Sequence, residues 1–240
     1  MGAPNGPAAK IAPGHRVLDV ACGTGVLARA AAWQAGASGH AVGLDIAPAM
    51  LAIAKRIAPA IEWREGSADA LPFPDQSFDA VVSQFGLMFF ADREKSLLEM
   101  MRVLVGGGHL AVAVWDSLDN MPAFADEVAL LDRSAGSEAA NALRAPFVLG
   151  DTNGLTELAS KSQVAAIQLQ THAGTAHFPS IRSWVEADLR GWLPAVGVFL
   201  DEEKIQQVLG DAEQVLRRYA NRDGHAVFDV SAHIISGVKS

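Results

Sequence analysis

The chain has 240 residues, of which half are hydrophobic and 19% are charged. This length and composition fit one large globular domain and exclude an intrinsically disordered chain. The formal net charge of −8 gives the chain no general attraction for nucleic acid or for anionic membranes. Cys22 is the single cysteine, so an intrachain disulfide is excluded, which favours a cytoplasmic location. No stretch approaches the roughly 20 apolar residues of a membrane-spanning helix, so we expect no integral membrane segment.

Short apolar segments alternate with helical ones through the first half of the chain. Residues 1–14, rich in Ala, Pro and Gly, are predicted to be a flexible lead-in. Several of the following strands are apolar on both faces, which is typical of central parallel strands and predicts a doubly wound α/β sheet. The predicted strands are Arg16–Ala21, His40–Ile46, Ile61–Glu65, Phe78–Gln84 and His109–Trp115, and the predicted helices are Val26–Ala35, Pro48–Ala58 and Asp92–Leu104.

After Trp115 this alternation stops and helical segments dominate. We predict one domain over residues 15–240 with a seven-stranded, mostly parallel sheet. Residues 15–116 are expected to be its cofactor-binding core, and residues 117–240 to add helical insertions at the substrate rim and the last strands. The helix predicted over Ser180–Trp192 has an apolar side that suits either a cap over the pocket or the interface of a homodimer. The later predicted elements are helices over 116–147, Asp151–Ser160 and Asp201–Tyr219, and strands over Val164–Leu169, Ala173–Phe178 and Ala226–Ile235.

The segment Val17–Ala28 (VLDVACGTGVLA) carries the main chemical signal, a strand that runs into a small-residue turn and then opens a helix. Gly23 and Gly25 allow a ligand to approach the backbone closely, and the helix N-terminus offers free N–H groups. The spacing also fits the loose dinucleotide fingerprint, and Asp45 lies 20 residues beyond Gly25. The glycines alone therefore do not separate NAD from other nucleotides.

Two acids stand at the carboxyl ends of predicted strands. Asp19 would repel a diphosphate and attract a cationic amino-acid end, such as that of S-adenosylmethionine, although it could instead hold the turn by accepting backbone N–H bonds. Asp45 is predicted to accept the hydroxyl protons of a ribose, the alternative being an N-cap for the helix that starts at Pro48. An NAD(P)-dependent oxidoreductase would explain the glycine loop and Asp45 but not Asp19.

Four segments, VLDVACGTG, GLDIAPAMLAIA, LPFPDQSFDAVVSQFGLMFF and RVLVGGGHLAVAVW, resemble the class I S-adenosylmethionine-dependent methyltransferases of ubiquinone and menaquinone biosynthesis. The resemblance covers roughly residues 14–116. It implies a Rossmann-like fold, S-adenosyl-L-methionine as cofactor with S-adenosyl-L-homocysteine as its product, and a small quinone-, lipid- or secondary-metabolite-like acceptor. The cofactor-binding residues that it implies are Asp19, Ala21, Cys22, Gly23, Gly25, Asp45, Ile46, Met50, Ser67, Ala68 and Gln84.

Two features depart from the family pattern. Ser67 stands where the family has an Asp that binds the adenine amino group, and Asp69 follows two residues later. The family also has a helical arm before its first strand, whereas here the Pro- and Gly-rich residues 1–14 precede it. Both features keep open a methyltransferase-like protein that binds the cofactor without catalysis.

No residue is compelled by the sequence to act as a general base. Gln84 is predicted to border the transferring methyl group, with a satisfied buried amide as the alternative. His172 and His177 are further candidates on the later rim, where a structural or exposed role is the alternative. The aromatic and aliphatic side chains of residues 85–90 could line an acceptor pocket or pack in the core. No Cys/His cluster has metal-ligand spacing, so we expect no metal.

Overall fold

The computed structural model describes residues 8–240 of the chain, and they fall into two compact units. The first unit contains the described residues up to Trp115 together with Asp151–Thr171 and His233–Ser240. The second contains Asp116–Gly150 and His172–Ala232. The interpretation of residues 15–240 as a single domain stays a prediction. None of the helices among residues 8–240 is both long enough and apolar enough to cross a membrane.

Strands and helices of the first half lie close to their predicted positions because glycines and prolines mark their ends. They are β1 (Arg16–Val20), α1 (Val26–Ala35), β2 (His40–Asp45), α2 (Pro48–Ile57), β3 (Glu62–Glu65), β4 (Phe78–Gln84), α3 (Arg93–Val103) and β5 (Leu104–Trp115). The later elements are α4 (Pro122–Ser134), α5 (Ser137–Arg144), α6 (Thr152–Lys161), β6 (Ala165–Phe178), α7 (Ile181–Ala187), a π-turn (Asp188–Trp192), α8 (Leu193–Ala195), α9 (Glu202–Val215) and β7 (Ala226–Val238).

The seven strands form one sheet in the order β3-β2-β1-β4-β5-β7-β6, which confirms the predicted Rossmann-like, doubly wound architecture. The pairings of β1 with β2 and β4, of β2 with β3, and of β4 with β5 are all parallel. The chain runs outward from β1 to β3 and then returns to place β4 on the other side of β1. This reversal opens a crevice beyond the carboxyl ends of β1 and β4, where open α/β sheets bind ligands.

The core of the first unit surrounds β1 and β4, whose middle residues are buried on both faces of the sheet. Ala9 is fully buried against Val17, Leu27 and neighbouring small residues. The described part of the predicted lead-in therefore contacts the core, and the amide of Gly14 donates to the carbonyl of Ala35 at 2.9 Å. Residues 1–7 of that predicted lead-in lie outside the described residues.

The bounds of the predicted strands are wrong in two places. β5 begins at Leu104 rather than at the predicted His109. The two predicted strands of residues 164–178 are one continuous strand, β6, in which the hydroxyl of Thr171 hydrogen-bonds the Nδ1 atom of His233 on β7 at 2.9 Å. This pairing keeps the chain extended through the predicted break. The helix α2 buries Leu51 and Ala54, whereas Met50 is 40% exposed and Ile57 is 52% exposed.

The second unit is organised around a cluster of aromatic rings. Trp184 of α7 is fully buried, and its ring centroid lies 4.3 Å from that of Phe228 on β7. Ser180 and Ser183 form a capping box that fixes the start of α7. The other rings of the cluster are Phe124, Phe147, Phe178 and Tyr219.

Candidate functional site

The loop between β1 and α1 has an unusual backbone. Ala21, Gly23 and Gly25 have φ angles of 58°, 54° and 81°, so three of five consecutive residues are in the left-handed region. This conformation is uncommon for a residue with a side chain such as Ala21, and strain of this kind concentrates at functional sites. Gly25 precedes α1 and no side chain caps the helix, so its first N–H groups face the loop.

Trp63 of β3 supports this loop from below, a role that sequence analysis missed. A Cβ atom on Gly25 would lie 2.2 Å from the Cη2 atom of Trp63. The indole also packs with Cys22 and Ala28, and its Nε1–H donates to the carbonyl of Ala58 at 2.9 Å. The glycine is therefore required here both by its positive φ angle and by the ring beneath it.

Replacing Gly25 with alanine is expected to lower the free energy of unfolding by about 2 kcal/mol or more, because the new methyl group overlaps Trp63 and the φ angle is strained. Gly107→Ala is the matched control, because Gly107 has a φ angle of 76° but no atom within 4 Å of an added Cβ. The control is expected to lose only about 1 kcal/mol. Urea unfolding measures both, and equal losses would contradict the role of Trp63.

Asp45, at the end of β2, ties the loop to the second strand. One carboxylate oxygen accepts the amide of Gly23 at 2.7 Å and the other accepts the amide of Ala47 at 2.8 Å. The residue at the N-cap position of α2 is Ala47, so Asp45 supports that helix start rather than capping it directly. Each carboxylate oxygen has a further lone pair that can accept a ligand hydroxyl.

Asp19, near the end of β1, is the most unusual charge in this region. Its side chain is 1% exposed, and neither carboxylate oxygen makes a hydrogen bond of normal geometry within residues 8–240. Burial raises the pKa of Asp19 well above its usual value, the backbone N–H of Ala28 offsets part of that rise, and the charge of Asp45 adds to it. A buried carboxylate without a strong partner is costly, so the site favours a cationic or hydrogen-bond-donating ligand.

Two cavities open on either side of Ala21. The first has a volume of about 180 Å³ and is lined by Ala21, Leu44, Asp45, Ile46, Gly66, Ser67, Ala68, Asp69, Phe89, Phe90, Ala91 and Ser96. The second has a volume of about 290 Å³ and is lined by Asp19, Ala21, Cys22, Gly23, Val26, Leu27, Gln84 and Phe85. We call them the β2 cavity and the β1 cavity. Together they bring nine of the eleven predicted cofactor-binding residues to one edge of the sheet.

Gly25 and Met50, the other two, do not line either cavity. Gly25 lies behind the loop against Trp63, and Met50 is 40% exposed on α2. His172 and His177, the predicted alternatives for a base, are exposed on the part of β6 that belongs to the second unit. A role for either histidine stays a prediction.

The segment after β4 closes the β1 cavity with an aromatic side chain. Phe85 has a φ angle of 58°, and its ring stacks on that of Trp115 with 4.1 Å between centroids. A Cβ atom on the next residue, Gly86, would lie 2.6 Å from the Cβ of Ala21, so the two strained turns touch. Gln84 and Phe85 line the cavity, whereas the following Leu87 and Met88 are buried in the core.

Cys22 is unsuited to nucleophilic chemistry. Its thiol is 8% exposed, and burial together with the charges of Asp19 and Asp45 raises its pKa. The thiol therefore stays protonated at neutral pH and serves as a small packing group under the loop. Within residues 8–240, no group of three or more His, Cys, Asp or Glu side chains is arranged to hold a metal ion.

Comparison with known proteins shows which family the segment around this site is similar to. Residues 18–112 match a family model described as a methyltransferase domain. A demethylmenaquinone methyltransferase from Thermus thermophilus is 50% identical over 101 residues, which cover 40% of this chain and 46% of that protein. A 2-phytyl-1,4-naphtoquinone methyltransferase from Thermosynechococcus vestitus is 44% identical over 102 residues, which cover 41% of this chain and 45% of that protein. The match thus spans less than half the length of each curated relative.

Among solved structures, the YcgJ protein from Bacillus subtilis superimposes with a TM-score of 0.62 at 20% sequence identity. The superposition covers 97% of this chain and 95% of that one, so the fold is shared far beyond the segment matched by sequence. The matched segment begins in β1 and ends in β5, and it includes every residue that lines the two cavities. Residues 18–112 of this chain are therefore similar in sequence to a methyltransferase domain.

Proposed function

We propose that the chain is an S-adenosylmethionine-dependent methyltransferase that acts on a small, quinone-like acceptor. The observation that carries the proposal is the buried Asp19 carboxylate, which lacks a strong partner and lines the β1 cavity beside the glycine loop. When bound, S-adenosylmethionine supplies an electrophilic methyl group on a sulfonium, and its amino-acid end carries the ammonium group that such a carboxylate favours.

The charges that line the two cavities separate this cofactor from a dinucleotide. Asp19, Asp45 and Asp69 line them, and none of the described lining residues is Lys, Arg or His. A diphosphate would face three carboxyl groups without a compensating cation, which is unfavourable. S-adenosylmethionine has no phosphate, so the same carboxyl groups suit its ammonium, ribose hydroxyl and amino groups.

The residues would then have distinct roles. Asp19 would hold the cationic amino-acid end, and the positive-φ loop of Ala21 and Gly23 would let the ligand approach the backbone. Asp45 would accept the ribose hydroxyls with the lone pairs that its bonds to Gly23 and Ala47 leave free. Gln84 and Phe85 would border the acceptor side of the β1 cavity, where exclusion of water and alignment of the nucleophile supply much of the rate.

The acceptor class rests on the relatives. Two of the matching proteins are named for the methylation of demethylmenaquinone and of 2-phytyl-1,4-naphtoquinone. The aromatic Phe85 at the β1 cavity, stacked on Trp115, is a suitable neighbour for a flat aromatic acceptor. The proposal includes a cytoplasmic location, which the single cysteine supports. It also includes the absence of a nucleic-acid partner, which the net charge of −8 supports.

Calorimetric titration of the purified chain with S-adenosylmethionine, S-adenosylhomocysteine and NADH tests the proposal directly. We expect the first two ligands to bind and NADH not to bind. Incubation of the chain with S-adenosylmethionine and a demethylated quinone should then yield the methylated quinone. Binding of NADH alone would overturn the proposed cofactor. Binding of S-adenosylhomocysteine without transfer to any of a panel of quinones would favour the non-catalytic alternative.

A further inference from the structure

The second unit carries an uncharged turn between two charged residues. Residues 191–200 (GWLPAVGVFL) contain no Asp, Glu, Lys or Arg, although Arg190 precedes them and Asp201 follows them. Within this segment, which we call the apolar turn, Phe199 is 77% exposed and Val196 is 41% exposed. Exposed aromatic and aliphatic side chains in one uncharged turn are typical of a surface that contacts a protein or a membrane.

The backbone of the apolar turn is closed by its own hydrogen bonds. The amide of Val198 donates to the carbonyl of Leu193 at 2.9 Å. The amide of Gly197 donates to the carbonyl of Pro194 at 3.1 Å. With a φ angle of 86° at Gly197, these two bonds form a Schellman motif that ends α8. Both amides are therefore satisfied without water, which is what a lipid environment requires of the backbone.

The side chains of the apolar turn offer a partner no hydrogen-bonding group of their own. The indole N–H of Trp192 is the single polar group among them, and it donates to the carbonyl of Ala142 at 2.9 Å. Stable protein interfaces use about 20–30 residues on each side and about one hydrogen bond per 100–200 Å². A short turn of apolar side chains does not meet that description, whereas the hydrocarbon of a bilayer requires neither a large area nor hydrogen bonds.

The charges beside the apolar turn predict which lipids it meets. Asp201, Glu202 and Glu203 follow it directly. Arg190, which precedes it, is paired with Glu186 and Glu202. Anionic headgroups would therefore find no available cation and several carboxylates at this surface. Contact with a membrane must depend on the burial of apolar side chains, and it should favour zwitterionic lipids.

We propose that the apolar turn is a membrane-docking surface that inserts Val196 and Phe199 into the interface of a zwitterionic bilayer. Two side chains of this size give weak and reversible binding, as a single lipid anchor does. The residues that line the β1 and β2 cavities all belong to the first unit, whereas the apolar turn belongs to the second. The inference therefore goes beyond the proposed function and does not depend on it.

Flotation of the purified chain with phosphatidylcholine vesicles at millimolar lipid tests the proposal. The unmodified chain should float with the vesicles. Phe199→Ser should lower the partition coefficient about 10-fold or more, the value of burying one aromatic side chain. Trp33→Ser is the matched control, because Trp33 is an aromatic residue of similar exposure, 84%, on α1 of the first unit. This control should bind vesicles as the unmodified chain does.

A depth measurement tests insertion without removing an aromatic side chain. Val196→Cys and Val215→Cys place a reactive thiol at two valines of the second unit with similar exposure, 41% and 43%. Cys22 is buried, so the unmodified chain under the same labelling conditions is the blank. A polarity-sensitive dye at position 196 should shift to the blue on vesicles and be quenched by nitroxide-labelled lipid. The same dye at position 215 should do neither.

Several outcomes would overturn the inference. Absence of flotation by the unmodified chain is one, and an equal partition coefficient for Phe199→Ser is another. Flotation only with phosphatidylglycerol vesicles at low salt would indicate contact driven by charge at a different surface. If analytical ultracentrifugation shows a concentration-dependent dimer that Phe199→Ser abolishes, and no vesicles are bound, the apolar turn contacts a second copy of the chain instead.

Discussion

Replacing Asp19 with asparagine is expected to stabilise the ligand-free chain and to weaken its binding of S-adenosylhomocysteine. Asparagine has nearly the same shape, so the β1 cavity keeps its form while the buried charge is removed. The loss of affinity should be about 10- to 100-fold, the range for a hydrogen bond to a charged group. The gain in the free energy of unfolding at pH 8 should be about 1 kcal/mol or more, because the buried Asp19 carboxyl lacks a strong partner and is costly either to ionise or to keep protonated at that pH.

The pH dependence of both effects has a definite sign. The folded-state pKa of Asp19 is raised above the value of 3.8 that applies to an unperturbed side chain, so the folded chain holds a proton that the unfolded chain has lost. Stability is therefore lost as the pH rises from that value through the folded-state pKa. A bound ammonium group favours the ionised carboxylate, so ligand binding releases the proton and affinity should rise as the pH is raised toward the folded-state pKa of Asp19.

Calorimetry and urea unfolding at several pH values check these expectations. The Asp19→Asn variant should lack the rise of affinity with pH that the unmodified chain shows. Glu65→Gln serves as the control, because it removes an exposed carboxylate from the same unit without changing the buried one. A variant that binds as tightly as the unmodified chain would show that Asp19 only supports the turn, the alternative that the sequence left open.

Replacing Glu127 with glutamine is expected to raise the free energy of unfolding at pH 8 by about 1–3 kcal/mol. Glu127 of α4 is fully buried in the second unit, and neither of its oxygens has a hydrogen bond of normal geometry among the described residues. The Asp188 carboxyl and the Trp184 indole are the polar groups that act on it. A fully buried acid thus faces a partly buried one, whereas Arg190, two residues beyond Asp188 on the π-turn, pairs with Glu186 and Glu202 at the surface.

Burial and the charge of Asp188 raise the pKa of Glu127, and burial raises the pKa of Asp188 to about 6. Acids with raised pKa values keep their protons in the folded state after the unfolded chain has ionised. Their contribution to stability is therefore present at low pH and is lost as the pH rises from about 4 through the folded-state values. The unmodified second unit should accordingly unfold more easily at pH 8 than at pH 5.

Thermal unfolding between pH 5 and pH 8 measures this dependence. Glu127→Gln should flatten it, whereas Glu203→Gln, at an exposed position on α9, should leave it as it is. Combining Glu127→Gln with Asp188→Asn should add less than the two single changes together, because each removes the same repulsion. A slope with pH that persists in the Glu127→Gln variant would contradict the assignment.

Much of the fold could be predicted from the sequence because its signals are local. The helix Val26–Ala35 was predicted with the observed bounds because a glycine turn precedes it and Gly36 ends it. The strand Phe78–Gln84 was also predicted with the observed bounds, because a polar turn precedes it. The acids at the ends of β1 and β2 were also evident, because parallel strands bring their carboxyl ends to one edge. These residues are brought together in the structure without any need for long-range information.

Other features depend on contacts between residues far apart in the chain, and only the tertiary structure decided them. Trp63 lies 38 positions beyond Gly25 and yet dictates that this residue be a glycine. Glu127 of α4 interacts with Asp188 of the π-turn, 61 positions further along the chain, and no periodicity in the sequence predicts this contact between two acids. The sequence by itself determined the order of elements and the acidic edge of the sheet, since these follow from local pattern and topology. The support of the glycine loop by Trp63 and the burial of the acidic side chains follow from tertiary packing, which the sequence pattern does not reveal.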